Sequence, residues 1–486
     1  MAADLEVPTA EQVAAHYHES LVRKRSARRL MWGMIFGLVL LAMLAPVALY
    51  IAWLAHGRAL LREELAKIQA AGDPITTAEM AEWYKLPEGS RDITQLWLEA
   101  IRPFGTTEYQ DSCAGVPLVG FSRPPWTAPP LEQPLAAADE QAIREWLTLH
   151  QDKVAAIYAA AREEGEVRYP YDFRQGAYAL TTSDHLLVHS ATLPLRLEFQ
   201  VFARQPNLDP AIENLATRLS LVESGCNSPS LSMLLNRAGT HGRTLEDLRQ
   251  LVATDRLSDA QLARLQSLLR KLNSSSQLTD AMLGDRAMAY WIFYQELGLL
   301  PDFDDFSRRS RTPHETTHAI DTISRPEDCA MALGMYTRLL AASRLPLHEA
   351  LAESKAIEQE RHALQSKTLD GLRYLASSAV VVDVSAIAEV FAGFQAMCTN
   401  LDTAIATRRY RLLHAQLPQT LDQLTPDFLP HMPVDPFDGQ PLRFIAQDDK
   451  LVIYSIGKDL VDDGGVCDPA KQEPDIALEV QQPSTE

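Results

Sequence analysis

Between Leu30 and Gly57 the chain runs for twenty-eight residues without an Asp, Glu, Lys or Arg. A helix needs about 20 apolar residues to cross the hydrocarbon core of a bilayer, so this stretch divides the chain into two unequal parts on opposite sides of a membrane. Arg23, Lys24, Arg25, Arg28 and Arg29 crowd its N-terminal flank, whereas on the far flank Arg58 and Arg62 are set against Glu63 and Glu64. An excess of Lys and Arg marks the cytoplasmic side. The expected protein is therefore single-pass in the inner (cytoplasmic) membrane, with a cytoplasmic N-terminus and a periplasmic C-terminal portion. A cleaved signal peptide has an apolar region of only ~7–15 residues followed by small residues at the cut. The run here is about twice as long, and Ala55-His56-Gly57 is a poor cleavage site. Trp32, Tyr50 and Trp53 fall where aromatic interface residues belong, and Pro46 inside the span is of the kind membrane helices tolerate.

Charge narrows the partners. Residues 1–29 hold five basic and four acidic residues, so of the net −19 the remainder carries −20, with 40 basic against 60 acidic side chains. Phosphate backbones need a basic face, which excludes nucleic acid as an expected partner. The five cysteines, Cys113, Cys226, Cys329, Cys398 and Cys467, are scattered with no CxxC pair. Such spacing fits neither a zinc ribbon nor a disulfide framework, and reads as isolated buried thiols with room for one bridge.

Taken in order, residues 1–29 form a short cytoplasmic tail and 30–57 the transmembrane helix, the point of contact with the lipid bilayer. Helical register continues through Glu63 and Lys67 as a stalk that Gly72-Asp73-Pro74 stops, and Thr76-Thr77-Ala78-Glu79 opens a new helix as a capping box. The glycines and prolines that punctuate the chain from Gly105 to Pro134 predict a long loop in which Phe121 and Trp126 pack back on the body. From Ala136 to about Leu300 apolar residues recur at three- and four-residue steps, as in Ile143, Trp146, Leu147, His150, Val154 and Ile157, and again in Leu262, Leu265, Leu268 and Leu269. Helical periodicity returns from Pro326 to Leu372, and a last long helix is expected from Val384 to Gln416. The fold class expected is mostly α: an N-terminal transmembrane helix, a helical extracytoplasmic body over 58–383, a small α+β domain over 384–468 and a disordered acidic tail over 469–486.

Two histidine patterns bear on chemistry. His314-Glu315-Thr316-Thr317-His318 matches HExxH, in which two histidines one turn apart bind zinc and the glutamate serves as base toward a metal-bound water. Thr312-Pro313-His314-Glu315 is equally a capping box with proline at the first helical position. That second reading puts the motif in an exposed first turn, and a zinc hydrolase using His314, Glu315 and His318 stands as the alternative function. His185 and His189 form a second pair at helical spacing, and these residues read as packing groups. No G-x-S-x-G elbow, phosphate-binding loop or dinucleotide fingerprint is present, which leans away from an enzyme.

The densest signal is at the C-terminal end. A helix closing with Tyr410-Arg411 is followed by Leu417-Pro418-Gln419-Thr420-Leu421-Asp422-Gln423-Leu424. Pro433-Val434-Asp435-Pro436-Phe437-Asp438-Gly439-Gln440-Pro441 then turns into Leu442-Arg443-Phe444-Ile445. Asp448-Asp449-Lys450 joins that strand to Leu451-Val452-Ile453-Tyr454-Ser455 as a hairpin. The segment ends in Ile456-Gly457-Lys458-Asp459-Leu460-Val461-Asp462-Asp463-Gly464-Gly465, a carboxylate-rich loop of the type that can wrap Ca²⁺.

In its order and motifs this segment of about 70 residues resembles the C-terminal domain of the type II secretion major pseudopilins. The resemblance implies a small antiparallel sheet packed on the helix and a calcium site using the Ile456 carbonyl with Asp459, Asp462, Asp463 and Asp468. Leu460 stands where that family often has glycine, and no G-F-x-x-x-E precedes Leu30, so filament assembly is not implied. The whole chain looks like the single-pass envelope proteins of planctomycete-type bacteria that end in this module. The expected role is a membrane-anchored interaction or scaffold protein with a protein partner in the envelope, beside a secretion or pilus-like apparatus.

Overall fold

The computed structural model describes residues 10–119, 128–176, 183–225, 227–272, 276–295, 325–366, 374, 381, 383–446, 450–466 and 475–481. Helix α1 (Ala10–Ala71) runs unbroken through Pro46. Its side chains from Leu30 to Ile51 are almost all exposed, a length of roughly 30 Å at 1.5 Å per residue. This is the one helix among the described residues long and apolar enough to cross a membrane.

The expected stalk is a packed element. From Trp53 onward α1 lies along α12 (Arg325–Ala342), with Gly57, Leu61 and Ile68 buried. An apolar stripe at three- to four-residue spacing on this half of the helix finds a partner, whereas the uniformly apolar half before it has none. The last turn of the predicted span thus belongs to the body.

The body is built of helices with local start signals. Helix α2 (Thr77–Trp83) begins in the expected capping box, with Thr76 and Glu79 each bonding the other's backbone. Helices α3 (Thr94–Ile101), α4 (Thr107–Cys113), α5 (Ala137–Leu149), α6 (Gln151–Ala161) and α7 (Ser183–Phe202) enclose one apolar cluster that contains Trp97, Phe104, Ile143, Trp146, Val154 and Ile157. The stretch from Gly105 to Pro134 is less irregular than expected, since α4 forms within it under a Thr106 cap. Phe121 and Trp126 lie outside the described residues. Helices α8 (Asp209–Glu223), α9 (Leu231–Ala253), α10 (Asp259–Lys271) and α11 (Ser276–Gln295) follow, with α10 opened by a Ser258–Gln261 capping box. The periodicity expected from Pro326 to Leu372 is two helices, α12 and α13 (Leu347–Ser366), because Pro346 cannot continue the first and suits the start of the second.

Helix α14 (Val384–His414) is the axis of the second half. Asp383 caps its start by accepting the Ala386 N–H at 3.1 Å. Ala415 in the left-handed region (φ 57°) ends it, with its N–H on the Arg411 carbonyl. On one side α14 packs on α9, α10 and α13, and on the other on an antiparallel sheet of strands β1 (Arg443–Ala446), β2 (Lys450–Ser455) and β3 (Ile476–Gln481), in that order.

Two expectations are corrected here. The tail over 469–486 was expected to be disordered, yet Ile476–Gln481 is a full strand paired along β2. It alternates Leu478 and Val480 into the core with Glu479 and Gln481 outward, the period-2 pattern of a half-buried strand. The boundary at 383/384 does not divide the core. One apolar cluster runs from Leu61 and Ile68 on α1 through Leu248, Leu333 and Leu401 to Leu451, Ile453 and Leu478 on the sheet. Polar links follow the same seam: Arg409 Nε donates to Asp259 at 2.8 Å, and Arg270 donates to Asp402 and to the Phe428 carbonyl.

Candidate functional site

The C-terminal loop is positioned by one buried carboxylate. Asp435 follows Pro433-Val434 into a tight turn in which its own N–H donates to the Gln440 carbonyl at 2.7 Å and its carbonyl accepts the Gly439 N–H at 2.9 Å. Its side chain is fully buried and accepts from Phe437 N–H (3.0 Å), Ser455 Oγ (2.8 Å) and Ile456 N–H (2.9 Å), with Arg443 Nη1 at 3.3 Å. The turn needs glycine at 439, because φ is +73° and an added Cβ would lie 2.6 Å from the His348 ring of α13. Arg443 also forks onto Asp438 at 2.5 and 3.1 Å. Burial opposes the charge of Asp438, but the Arg443 and Gln440 hydrogen bonds outweigh it and hold the carboxyl below its usual range.

The predicted ligand residues take separate places on this frame. Ile456 is held by Asp435 through its N–H. Asp459 accepts the Val461 N–H at 3.1 Å, and Asp462 accepts from Tyr454 Oη and Gly464 N–H, both at 3.0 Å. Burial first, and then the Asp462 contact, push Tyr454 up to about 12. Asp463 and Gly465 donate their N–H groups to the carboxylate of Asp475, at 3.1 and 2.8 Å. Asp475 was not singled out in the sequence; its only local mark is its place just before the alternating run of β3. Burial raises its pKa, the Gly465 N–H opposes, and the charges of Asp462 and Asp463 add to the rise.

As arranged, then, Asp459 and Asp462 serve as turn-closing acceptors, and Arg443 Nε stands 3.9 Å from Asp462. Among the described residues no three of His, Cys, Asp or Glu are grouped to hold a metal ion. Asp468 lies outside the described residues, so the described members of the expected calcium set do not by themselves form a ligand shell. Leu460 has φ +59°, the left-handed region that glycine favours.

The zinc alternative, His314, Glu315 and His318, lies wholly outside the described residues. The side chain of His185 does too, while His189 Nε2 meets Arg243 Nη1 at 3.3 Å on α9. Burial, then Arg243 and Arg196, push His189 below its ordinary value. Cys113, Cys329 and Cys398 are free buried thiols, and burial raises the pKa of each. A buried thiol held protonated is a poor nucleophile.

The second place where the sequence leaves a mark is the junction of α1 with the body. Trp53 Nε1 donates to the buried Glu327 Oε2 at 2.6 Å, and Tyr374 Oη donates to Oε1 of the same carboxylate at 3.3 Å. One turn on, Gly57 faces the Glu327 backbone, where an added Cβ would meet N and Cβ at 3.1 Å. The hydrogen bonds and the close approach fix both the rotation and the height of α1 against α12.

No family model matches the chain, and neither does any curated protein or solved structure.

Proposed function

We propose that this protein is a membrane-anchored interaction or scaffold protein that holds a rigid folded body against the outer face of the membrane that α1 crosses. The observation that carries the reading is the seating of α1. A tether would join the body through a loop, whereas here the helix that leaves the apolar stretch is itself part of the core through Leu61 and Ile68 and is pinned by Trp53 and Gly57 to Glu327. Such an attachment fixes the orientation of the body to the bilayer, which a free-standing enzyme does not need and a scaffold does. The basic cluster from Arg23 to Arg29 supports a cytoplasmic placement of the short N-terminal segment.

The surface offered to a protein partner is the loop after β2, where Leu460, Val461 and Val466 are about half exposed on a frame held by Asp435 and Asp475. A photo-crosslinking residue at Val461, in the full chain in its native membrane, is expected to give a discrete adduct with one protein. Leu149, equally apolar and more exposed on α5, is the control. Adducts at both positions alike, or at neither, would remove the interaction reading. Orientation is checked separately by membrane-impermeant labelling of a cysteine placed at Val461 and of one placed at Tyr17, only the first being expected to react in intact cells.

A further inference from the structure

Helix α9 carries Gly239 and Gly242 in its interior, where glycine destabilises a helix relative to alanine. No close packing demands them, since an added Cβ at either position meets nothing within 4 Å. The space they leave is a cavity of about 450 Å³ between α7 and α9, walled on one side by Leu118, Val119 and Leu197. That size lies within the range of small-molecule sites. Leu118, on its rim, is held at φ +70°, a costly backbone conformation for leucine and of the kind that gathers at ligand sites.

The polar wall carries unbalanced charge. Arg196 is partly buried on the cavity wall and makes no hydrogen bond or ion pair among the described residues. Burial lowers its pKa, Asp247 opposes, and Arg218 and Arg243 reinforce the fall. Arg218 is fully buried and gives Nη1 to Asp247 at 2.6 Å, yet its Nε and Nη2 have no partner. Asp247 is shared further with Gln200 at 3.3 Å. The other nearby carboxylate, Glu246, is already taken by Arg249 at 2.7 Å. With Glu246 set against Arg249, the Arg196 and Arg243 guanidinium groups on the cavity wall and the Arg218 group buried behind it share one carboxylate, Asp247, a local surplus of two positive charges in a chain of net charge −19. An adjoining hollow of about 280 Å³ shares Gly239 and Arg243 with the cavity and adds His189 and Arg237. Beyond it, Glu223 meets the charge of Arg237 at 3.1 Å and stands 2.8 Å from His241 Nε2.

Buried guanidinium without a counter-ion is unfavourable, and the planar fork of arginine matches the oxygens of phosphate. We infer that this cavity binds a small phosphate monoester, with its phosphoryl group between Arg196 and Arg243 and its apolar body against Leu118, Val119 and Leu197. A monoester near neutral pH carries about −1.5 to −2, which matches the surplus, whereas a monocarboxylate supplies half of it. The glycines let the ligand approach the backbone of α9.

The test is calorimetric titration of the full chain in detergent with phenyl phosphate, inorganic phosphate and benzoate, at constant ionic strength set with chloride. Saturable binding is expected for phenyl phosphate, weaker binding for inorganic phosphate and at least tenfold weaker for benzoate. Arg196→Gln and Arg243→Gln should each reduce phenyl phosphate affinity tenfold or more. Arg243 is exposed, so its variant keeps the test valid if Arg196→Gln fails to fold. Gly239→Ala/Gly242→Ala should raise the melting temperature of the ligand-free protein while weakening phenyl phosphate binding, a combination that a purely structural role for the glycines does not produce. No saturable heat, benzoate binding as tightly as phenyl phosphate, or affinity unchanged in the Arg243 and glycine variants would each overturn the proposal.

Discussion

Ser455 Oγ donates to the carboxylate of Asp435 at 2.8 Å, and the neighbouring Ile456 N–H donates to its other oxygen at 2.9 Å. The two segments that stand out in the C-terminal sequence, the D-P-F-D-G turn and the Y-S-I-G strand end, are thus halves of one buried hydrogen-bonded unit. Removing the acceptor leaves the Phe437 and Ile456 N–H groups and the Ser455 hydroxyl buried and unpaired, at about 1–3 kcal/mol each in the worst case. Asp435→Ala is expected to cost about 3–5 kcal/mol, read as a lower urea midpoint. Ser455→Ala leaves Asp435 its other donors and strands only the Gly457 N–H, which Ser455 Oγ accepts at a long 3.3 Å, so its cost should stay at about 1–2 kcal/mol. Equal costs for the two would mean that Asp435 does not organise the unit.

The seat of α1 makes a different prediction. Gly57→Leu must push α1 away from the Glu327 backbone, since even a Cβ there lies 3.1 Å from two of its atoms. Overpacking of this kind costs about 1–3 kcal/mol. It should also uncouple the anchor from the body, so spin labels at His56 and Arg338 should show a broadened distance distribution in nanodiscs. Trp53→Phe keeps an aromatic side chain and loses the hydrogen bond to Glu327, and should broaden the distribution less. Unchanged distributions in both variants would remove the rigid-seat reading.

A third prediction concerns pH. Asp285 on α11 is pushed up to about 7 by burial, against the opposing effect of the Leu231 N–H that its carboxylate accepts at the start of α9. In the unfolded chain the same group titrates near 4. Between these values the folded protein holds a proton that the unfolded chain has released, so stability is full below about pH 4 and is lost as pH rises through 7. The side chain keeps a partly exposed edge, which holds the loss to about 1–3 kcal/mol. Asp285→Asn retains an acceptor for Leu231 and cannot ionise. Its urea midpoint should exceed that of the parent at pH 8 and match it at pH 4; a gap independent of pH would rule out Asp285 as the titrating group.

What the sequence shows and what it hides separates along range. The Thr76–Glu79 capping box, the breadth of α14 and the β1–β2 hairpin rest on residues a few positions apart, and their patterns are visible in the chain. Strand β3 was missed because six alternating residues in a polar tail acquire a partner only through β2, more than twenty positions away. The packing of α1 was missed for a related reason: Gly57 reads as the end of an apolar run, and its role depends on Glu327. Arg196, Arg218 and Arg243 form no motif at all, since they come together only when α7, α8 and α9 pack. The HExxH segment, legible as a pattern, falls outside the described residues.

Leu460 offers the last prediction, because it sets the sequence pattern directly against backbone strain. It occupies the position after Asp459 where the resembled domain often has glycine, and its φ of +59° is the conformation that glycine adopts without penalty. For an L-residue the left-handed region costs about 1–2 kcal/mol. The side chain is about half exposed, so little packing is lost by removing it. Glycine in turn costs about 0.5–1 kcal/mol in unfolded-chain entropy. Leu460→Gly should therefore stabilise the protein by about 0.5–1 kcal/mol, while Gly457→Ala, at φ +70°, should destabilise it by about 1 kcal/mol. If Leu460→Gly is instead destabilising and also weakens the Val461 crosslink, the leucine is held in a strained conformation for its contact with the partner, and the loop is the docking surface itself.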